Sequence, residues 1–376
     1  MKKWLILLAA LLVLPCACAQ ADYMMGNAAY DVGKYDLALE YWLEASEQGD
    51  AQAAHGLGCL YYYGYGVEQD YAKALTYFEA AAAQNHASAT YTVGYMHEHG
   101  YGVTKDLAAA KEWYARAAAL GHSDATYNLG VFLKNEGDYA GAMEYYLKAY
   151  EIGNKHAPGG IGALYCNGNG VAKNYDQSFY WFNIGAQSGD AFAQRVLGLH
   201  YKDGLGTDIN YAEALKWYKL AADQGDAEAQ ENVGWLSRQE EYGVTPDYEQ
   251  ARAYYLMVAE DGNMNACSGL AQMAMHGQGG EKDYAEAIRW FTPCAENGDD
   301  YAMACIGWML KEGEHGVDAD YAAAMEWLLK AIELGNADAM CYLSSMYQYG
   351  LGVEKNEETY KMWHDKASEA GHVHSY

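Results

Sequence analysis

The chain has 376 residues and is strongly acidic, with 51 Asp and Glu against 24 Lys and Arg and a formal net charge of −27. A surface of that sign repels phosphate backbones and anionic headgroups, so nucleic acid and lipid surfaces are excluded as natural partners, and neutral or basic proteins fit better. Only four prolines occur and no low-complexity linker is visible, so composition marks no domain break.

The chain opens with Lys2 and Lys3, an apolar run Trp4–Leu14, and Ala17-Cys18-Ala19, the small-x-small pattern of a cleavage site before Gln20. The run is too short to remain as a membrane-spanning helix. Residues 1–19 therefore read as a signal peptide, and the expected mature chain is exported, periplasmic or secreted, with no membrane insertion. A lipoprotein acylated at Cys16 or Cys18 is the weaker reading, because Pro15 precedes Cys16 and the residues before Cys18 fit a lipobox poorly.

From there the chain repeats one unit, clearest in Ala51–His86. A Gly or Asn closes each copy at Gly49, Asn85, Gly121, Gly153, Gly189, Gly225, Gly262, Gly298, Gly335 and Gly371, with spacings of 36, 36, 32, 36, 36, 37, 36, 37 and 36. A period of that length is the signature of a solenoid. Within a copy, apolar residues every three to four positions predict a helix A over Ala51 to Tyr62, with Ala53, Leu57, Leu60 and Tyr61 on its buried stripe. Gly64 and Gly66 then stop it. Asp70 is placed to cap a helix B running from Tyr71 to about Gln84. The same slot holds Asp106, Asp138, Asn174, Asn210, Asp247, Asp283, Asp320 and Asn356, while Lys34 in the first copy cannot cap. Seven residues past the cap an aromatic recurs (Tyr41, Tyr77, Trp113 and their successors), followed four later by a small or compact residue such as Ala45, Ala81 or Cys294. Both positions are expected to form the packed face between hairpins.

Three copies deviate. The first is short on its helix A side. The fourth, Ser123–Asn154, runs Lys134-Asn135-Glu136-Gly137-Asp138 straight into helix B without the Gly-x-Gly loop, like a plain tetratricopeptide hairpin. The seventh replaces the first loop glycine with Gln239-Glu240-Glu241-Tyr242.

The string Leu57-Gly58, Tyr61, Gly64-x-Gly66-Val67, Asp70, Lys73-Ala74, Tyr77 and Ala80-Ala81 resembles the Sel-one-like repeat (SLR), a relative of the tetratricopeptide repeat. Comparable strings begin at Val93, Leu197, Ile306 and Leu343, so the resemblance covers essentially the whole mature chain. It implies an all-α, right-handed superhelical solenoid of about ten stacked α/α hairpins, one domain over 20–376, whose concave surface is lined by A helices. It further implies an adaptor or scaffold for protein or peptide partners rather than an enzyme. An exported, cysteine-rich branch of the family is associated with β-lactam binding, which makes a cell-wall binder or hydrolase the alternative. That branch carries a Cys-x7-Cys pair in each repeat, and none occurs here.

Six cysteines follow the expected cleavage point: Cys59, Cys166, Cys267, Cys294, Cys305 and Cys341. Export exposes them to an oxidising compartment. Because the start of helix A lies beside the end of helix B in a hairpin, Cys267 with Cys294 is the expected disulfide, and Cys294 with Cys305 is its rival. No phosphate-cradling Gly-rich loop, nucleophile elbow or zincin motif is present, and His97-Glu98-His99 or His372 with His374 supply too few ligands for a metal. No cofactor is expected. Tyrosine is what remains: 37 residues, more than packing requires. Tyr62, Tyr63, Tyr65, Tyr95, Tyr101, Tyr347 and Tyr349 fall at helix A ends and in the following loops. They are the expected binding surface, since tyrosine offers stiff amphipathic contact area.

Overall fold

The computed structural model of the chain describes residues 19–240 and 243–372. The signal-peptide reading of residues 1–19 lies almost entirely outside them. The described residues hold twenty helices and no strand, paired as ten α/α hairpins. They gather into two compact units, divided in sequence between Ser188 and Gly189, the end of a repeat.

Unit 1 contains α1 (19–31), α2 (Tyr35–Glu47), α3 (Ala51–Tyr63), α4 (Tyr71–Ala82), α5 (Ala87–His99), α6 (Leu107–Ala119), α7 (Ser123–Asn135), α8 (Tyr139–Glu151), α9 (Ala157–Asn167) and α10 (Tyr175–Gln187). Unit 2 contains α11 (Ala191–Asp203), α12 (Tyr211–Ala222), α13 (Ala227–Ser237), α14 (Tyr248–Ala259), α15 (Met264–His276), α16 (Tyr284–Glu296), α17 (Asp300–Glu312), α18 (Tyr321–Glu333), α19 (Ala337–Tyr349) and α20 (Glu357–Glu369). Odd-numbered helices are the A helices. From α3 onward, the strongest neighbour of each helix is its hairpin partner.

The capping logic holds throughout. Asp70 accepts from the backbone N–H of Lys73 at 2.9 Å, each of its eight counterparts caps its own B helix, and Lys34 makes no side-chain cap. The A helices have caps of their own that the sequence reading passed over. Asp50, Asp190, Asp226, Asn263, Asp299 and Asn336 serve in six copies, but His86 and His122 serve in two of unit 1. There the N–H of Ala89 donates to His86 Nδ1 at 3.1 Å and that of Ala125 to His122 Nδ1 at 3.3 Å.

The core lies one residue later than expected. Ala53, Leu57, Leu60 and Tyr61 are buried as the periodicity requires, and so are the small residues eleven past the cap, such as Ala81 and Ala117. The aromatics seven past the cap, however, are only half-buried. Trp113, Trp217, Trp290 and Trp327 instead lie beneath Arg116, Lys216, Arg289 and Lys330, whose cations sit 4.4 to 5.5 Å from the rings. The fully buried side chain comes eight past the cap: Phe78, Tyr114, Tyr146, Phe182, Tyr218 and Phe291. Positions four, eight and eleven share one helical face, so Ala74, Phe78 and Ala81 form the inward stripe. Phe78 packs flat on Gly58 of α3, where an added Cβ would stand 2.6 Å from the ring. Gly94, Gly130, Gly162, Gly198 and Gly234 seat Tyr114, Tyr146, Phe182, Tyr218 and Tyr255 in the same way.

The irregular copies differ in their loops. In the first, only three residues, 32–34, join the described helix 19–31 to α2. The fourth hairpin turns through 136–138. In the seventh, α13 ends at Ser237 with the non-glycine Arg238 as its C-cap, where α3 ends on the αL glycine Gly64 (φ 71°).

Candidate functional site

At two places the residues five, nine and twelve past one A-helix cap line a hollow with those five and nine past the next, over the B-helix aromatic between them. In unit 1 this builds a groove of about 460 Å³ between α3 and α5. His55, Cys59, Tyr62 and Tyr63 come from α3; Tyr91, Thr92 and Tyr95 come from α5; Phe78 is the floor. Of the seven tyrosines expected from the sequence, three, Tyr62, Tyr63 and Tyr95, meet here.

Tyr65 and Tyr101 stand behind them as support. Tyr65 stacks on Tyr63 (5.3 Å between centroids) and on Tyr35 (5.0 Å), while Tyr101 stacks on Tyr71 (5.0 Å) and meets Tyr62 edge-on. Tyr95 stacks on His99 at 4.0 Å. The rings form a connected ribbon, which leaves Tyr63, 57% exposed, held in place by its neighbours despite its exposure. Tyr347 and Tyr349 do not join this site: both belong to the end of α19 in unit 2, where Tyr347 packs on the core and Tyr349 is 61% exposed. His55, Cys59, Phe78, Tyr91 and Thr92 were not anticipated. Their common register from the two helix caps is the signal that could have found them.

The groove is lined without a charged side chain. His55 stacks on the cap His86 at 4.7 Å, and burial, aided by the His86 charge, depresses its pKa to about 4. Cys59 Sγ lies 3.9 Å from His55 Nε2, and burial pushes that thiol up to about 11. Both partners are therefore neutral near pH 7, the opposite of the thiolate–imidazolium pair that nucleophilic chemistry needs. Burial likewise raises Tyr62 to about 12 and keeps its hydroxyl protonated, a donor as well as an acceptor. Such a lining suits apolar and aromatic groups with a few hydrogen bonds.

Tyr91 is shared with a second hollow of about 380 Å³ between α5 and α7, lined by Asp124, Tyr127, Asn128 and His156. His122, the cap of α7, stacks on Tyr91 at 4.5 Å. Asp124 accepts from Asn154 Nδ2 at 2.8 Å and places a carboxylate at this end of the aromatic surface.

The other expected groups resolve differently. The six described cysteines are free thiols in this structure, Cys267 and Cys294 among them. Cys267 Sγ is directed at Ala259 O (3.6 Å) and Cys294 Sγ at Met264 O (3.4 Å), and burial raises both pKa values. In His97-Glu98-His99 the side chains diverge: Glu98 accepts from Tyr114 at 2.6 Å and His99 Nδ1 meets Tyr95 O at 2.9 Å. His374 lies outside the described residues. Among those residues, no helix is long and apolar enough to cross a membrane.

Comparison with known proteins places this geometry. The family model described as "Sel1 repeat" matches residues 19–50, 51–86, 87–122, 160–190, 191–226, 227–263, 265–299, 300–336 and 337–372. A tetratricopeptide repeat model matches 105–157, the stretch that holds the short-looped fourth hairpin. Among solved structures the chain is similar to c5321, a protective antigen of uropathogenic Escherichia coli strains displaying an SLR fold. The two share 31% identity over 93% of this chain and 76% of the other, with a TM-score of 0.73. It is also similar to a Sel1 repeat protein from Oxalobacter formigenes, at 33% identity over 63% of this chain and 98% of the other, with a TM-score of 0.59. No curated protein sequence matches the chain.

Proposed function

The chain belongs to the Sel1 repeat family, and from that premise we propose that it is an exported, non-enzymatic scaffold that holds a protein or peptide partner in the α3–α5 groove. The observation that carries this reading is the convergence of Tyr62, Tyr63 and Tyr95 with His55 and Tyr91 on one uncharged hollow. A partner fits if it offers an apolar or aromatic side chain to the groove. Basic flanks suit it further, since residues 19–188 carry 19 acidic against 9 basic side chains and Asp124 stands at the adjoining hollow. Export rests on Lys2, Lys3, the Trp4–Leu14 run and Ala17-Cys18-Ala19. A relative described as a protective antigen is in keeping with it.

The test is capture of partners from the envelope fraction by the chain from Gln20 onward, repeated with a Tyr63→Ser, Tyr95→Ser variant. A partner retained by the native chain, released by salt and lost from the variant is the expected result. A partner that holds the double variant equally well would rule out the groove.

A further inference from the structure

The slot between α13 and α15 in unit 2 stands at the register of the α3–α5 groove but has a different chemistry. Counted from the helix caps, Arg238 takes the place of Tyr62, Gln272 that of Tyr95 and Glu231 that of His55, with Tyr255 as floor in place of Phe78. The result is a polar hollow of about 260 Å³. We propose that it is a second ligand site, one that binds a carboxylate of a peptide through the Arg238 guanidinium.

Residues 189–376 carry 32 acidic against 13 basic side chains, so a cation there finds carboxylates easily. The other arginines of the unit do: Arg195 pairs with Asp226 and Glu228, and Arg252 and Arg289 with Glu286. Among the described residues, Arg238 is the one arginine of this unit without a carboxylate partner. Its Nη1 donates to Gly269 O at 3.4 Å and its Nη2 to Gln272 Oε1 at 2.8 Å, both neutral acceptors, and a further contact goes to the Tyr255 hydroxyl. A guanidinium has five donors, which leaves two for a ligand, and a carboxylate is an anion that a guanidinium binds well. Glu231, the carboxylate of the slot, is occupied by Asn263 and Asn265, whose Nδ2 atoms donate to it at 2.9 and 3.0 Å. The positive field reaches further: burial first, then the charges of Arg238 and Lys282, hold His276 below its ordinary pKa. Half-burying a charge without an ionic partner is costly unless an anion completes it. Ser268, on the α15 wall, adds a neutral donor.

Isothermal titration of the purified chain with three peptides tests this: acetyl-Ala-Ala-Ala with a free C-terminus, its C-terminal amide, and acetyl-Ala-Glu-Ala amide. Binding of the first alone identifies a C-terminal carboxylate as the ligand, of the third alone an acidic side chain, and of both a carboxylate from either source. The Ala-Ala-Ala amide is expected to bind roughly tenfold to a hundredfold more weakly than the carboxylate peptides, and Arg238→Gln to weaken the latter by a similar factor. Because Arg238 also braces α13 against α15, Ser268→Phe provides an independent block that leaves the arginine in place, and it too is expected to abolish binding. Equal binding of amide and acids, no binding of either acid, or acid binding unchanged in both folded variants would overturn the proposal. None of these results bears on the Tyr63 and Tyr95 groove, whose partner is expected to bind Arg238→Gln as it does the native chain.

Discussion

The α3–α5 groove of unit 1 and the α13–α15 slot of unit 2 are the same architectural position built twice. In the first, Tyr62 and Tyr95 face across Phe78 and every lining group is neutral; in the second, Arg238 and Gln272 face across Tyr255. The backbone frame and the aromatic floor are retained while the walls are exchanged, so the repeat separates the residues that stack hairpins from those free to choose a ligand. Tyrosine distribution follows the same division, with 22 of 37 in residues 19–188.

The largest expected effect lies in what the two sites share. Truncating the floor, Phe78→Ala in one or Tyr255→Ala in the other, is expected to cost about 3–5 kcal/mol, since each side chain is fully buried against an A-helix glycine. Tyr77→Ala, one residue earlier and half-buried, is expected to cost clearly less. Urea denaturation checks the order, and equal losses at Tyr77 and Phe78 would return the core to the earlier position.

An intermediate effect separates the two regions by pH. Unit 1 caps α5 and α7 with His86 and His122, whereas α13 and α15 are capped by Asp226 and Asn263. Only a neutral imidazole accepts at Nδ1, and a protonated one sets a positive charge against the helix N-terminus. Burial lowers the pKa of both histidines; Asp50 opposes this at His86, and Asp124 does so at His122. A depressed folded-state pKa means that the stabilisation is complete above the ordinary value of 6.5 and is lost as the pH falls, for His55 through about 4. Acidification from pH 7 to 4 is therefore expected to open the α3–α7 region first, at roughly 0.5–2 kcal/mol per cap. His86→Asn with His122→Asn is expected to flatten that dependence, as hydrogen exchange of α5 and α7 would report.

The smallest effect concerns Tyr218, the floor aromatic of α12, whose buried hydroxyl has no hydrogen-bond partner among the described residues. Tyr218→Phe removes an unsatisfied polar atom and is expected to leave stability unchanged or raise it by up to about 1 kcal/mol, whereas Tyr114→Phe, which deletes the bond to Glu98, is expected to lower it. Melting temperatures of the pair check the sign.

Much of the hairpin was legible in the chain. The B-helix caps, the stop at Gly64 and Gly66, the stripe through Leu57 and Leu60, and the shortened fourth loop all follow from local chemistry, because capping, φ > 0 and helical periodicity act within a few residues. The core aromatic was placed one residue early because positions seven and eight past the cap are often both aromatic, as in Tyr77-Phe78, Trp113-Tyr114 and Tyr145-Tyr146. Only packing against Gly58 and its counterparts tells them apart.

The site divides along the same line. Self-similarity alone determined the family, the all-α hairpin array and the excess of tyrosines at helix A ends, since these depend on residues close in sequence. Tertiary structure alone decided that Tyr62 and Tyr63 meet Tyr95 from the next A helix, that His55 and His86 stack, that Cys267 and Cys294 turn to carbonyls, and that Arg238 has no carboxylate partner among the described residues. Each of those outcomes depends on which side chains of successive hairpins come within a few ångströms of one another, and that distance is set by how the hairpins pack rather than by any one of them.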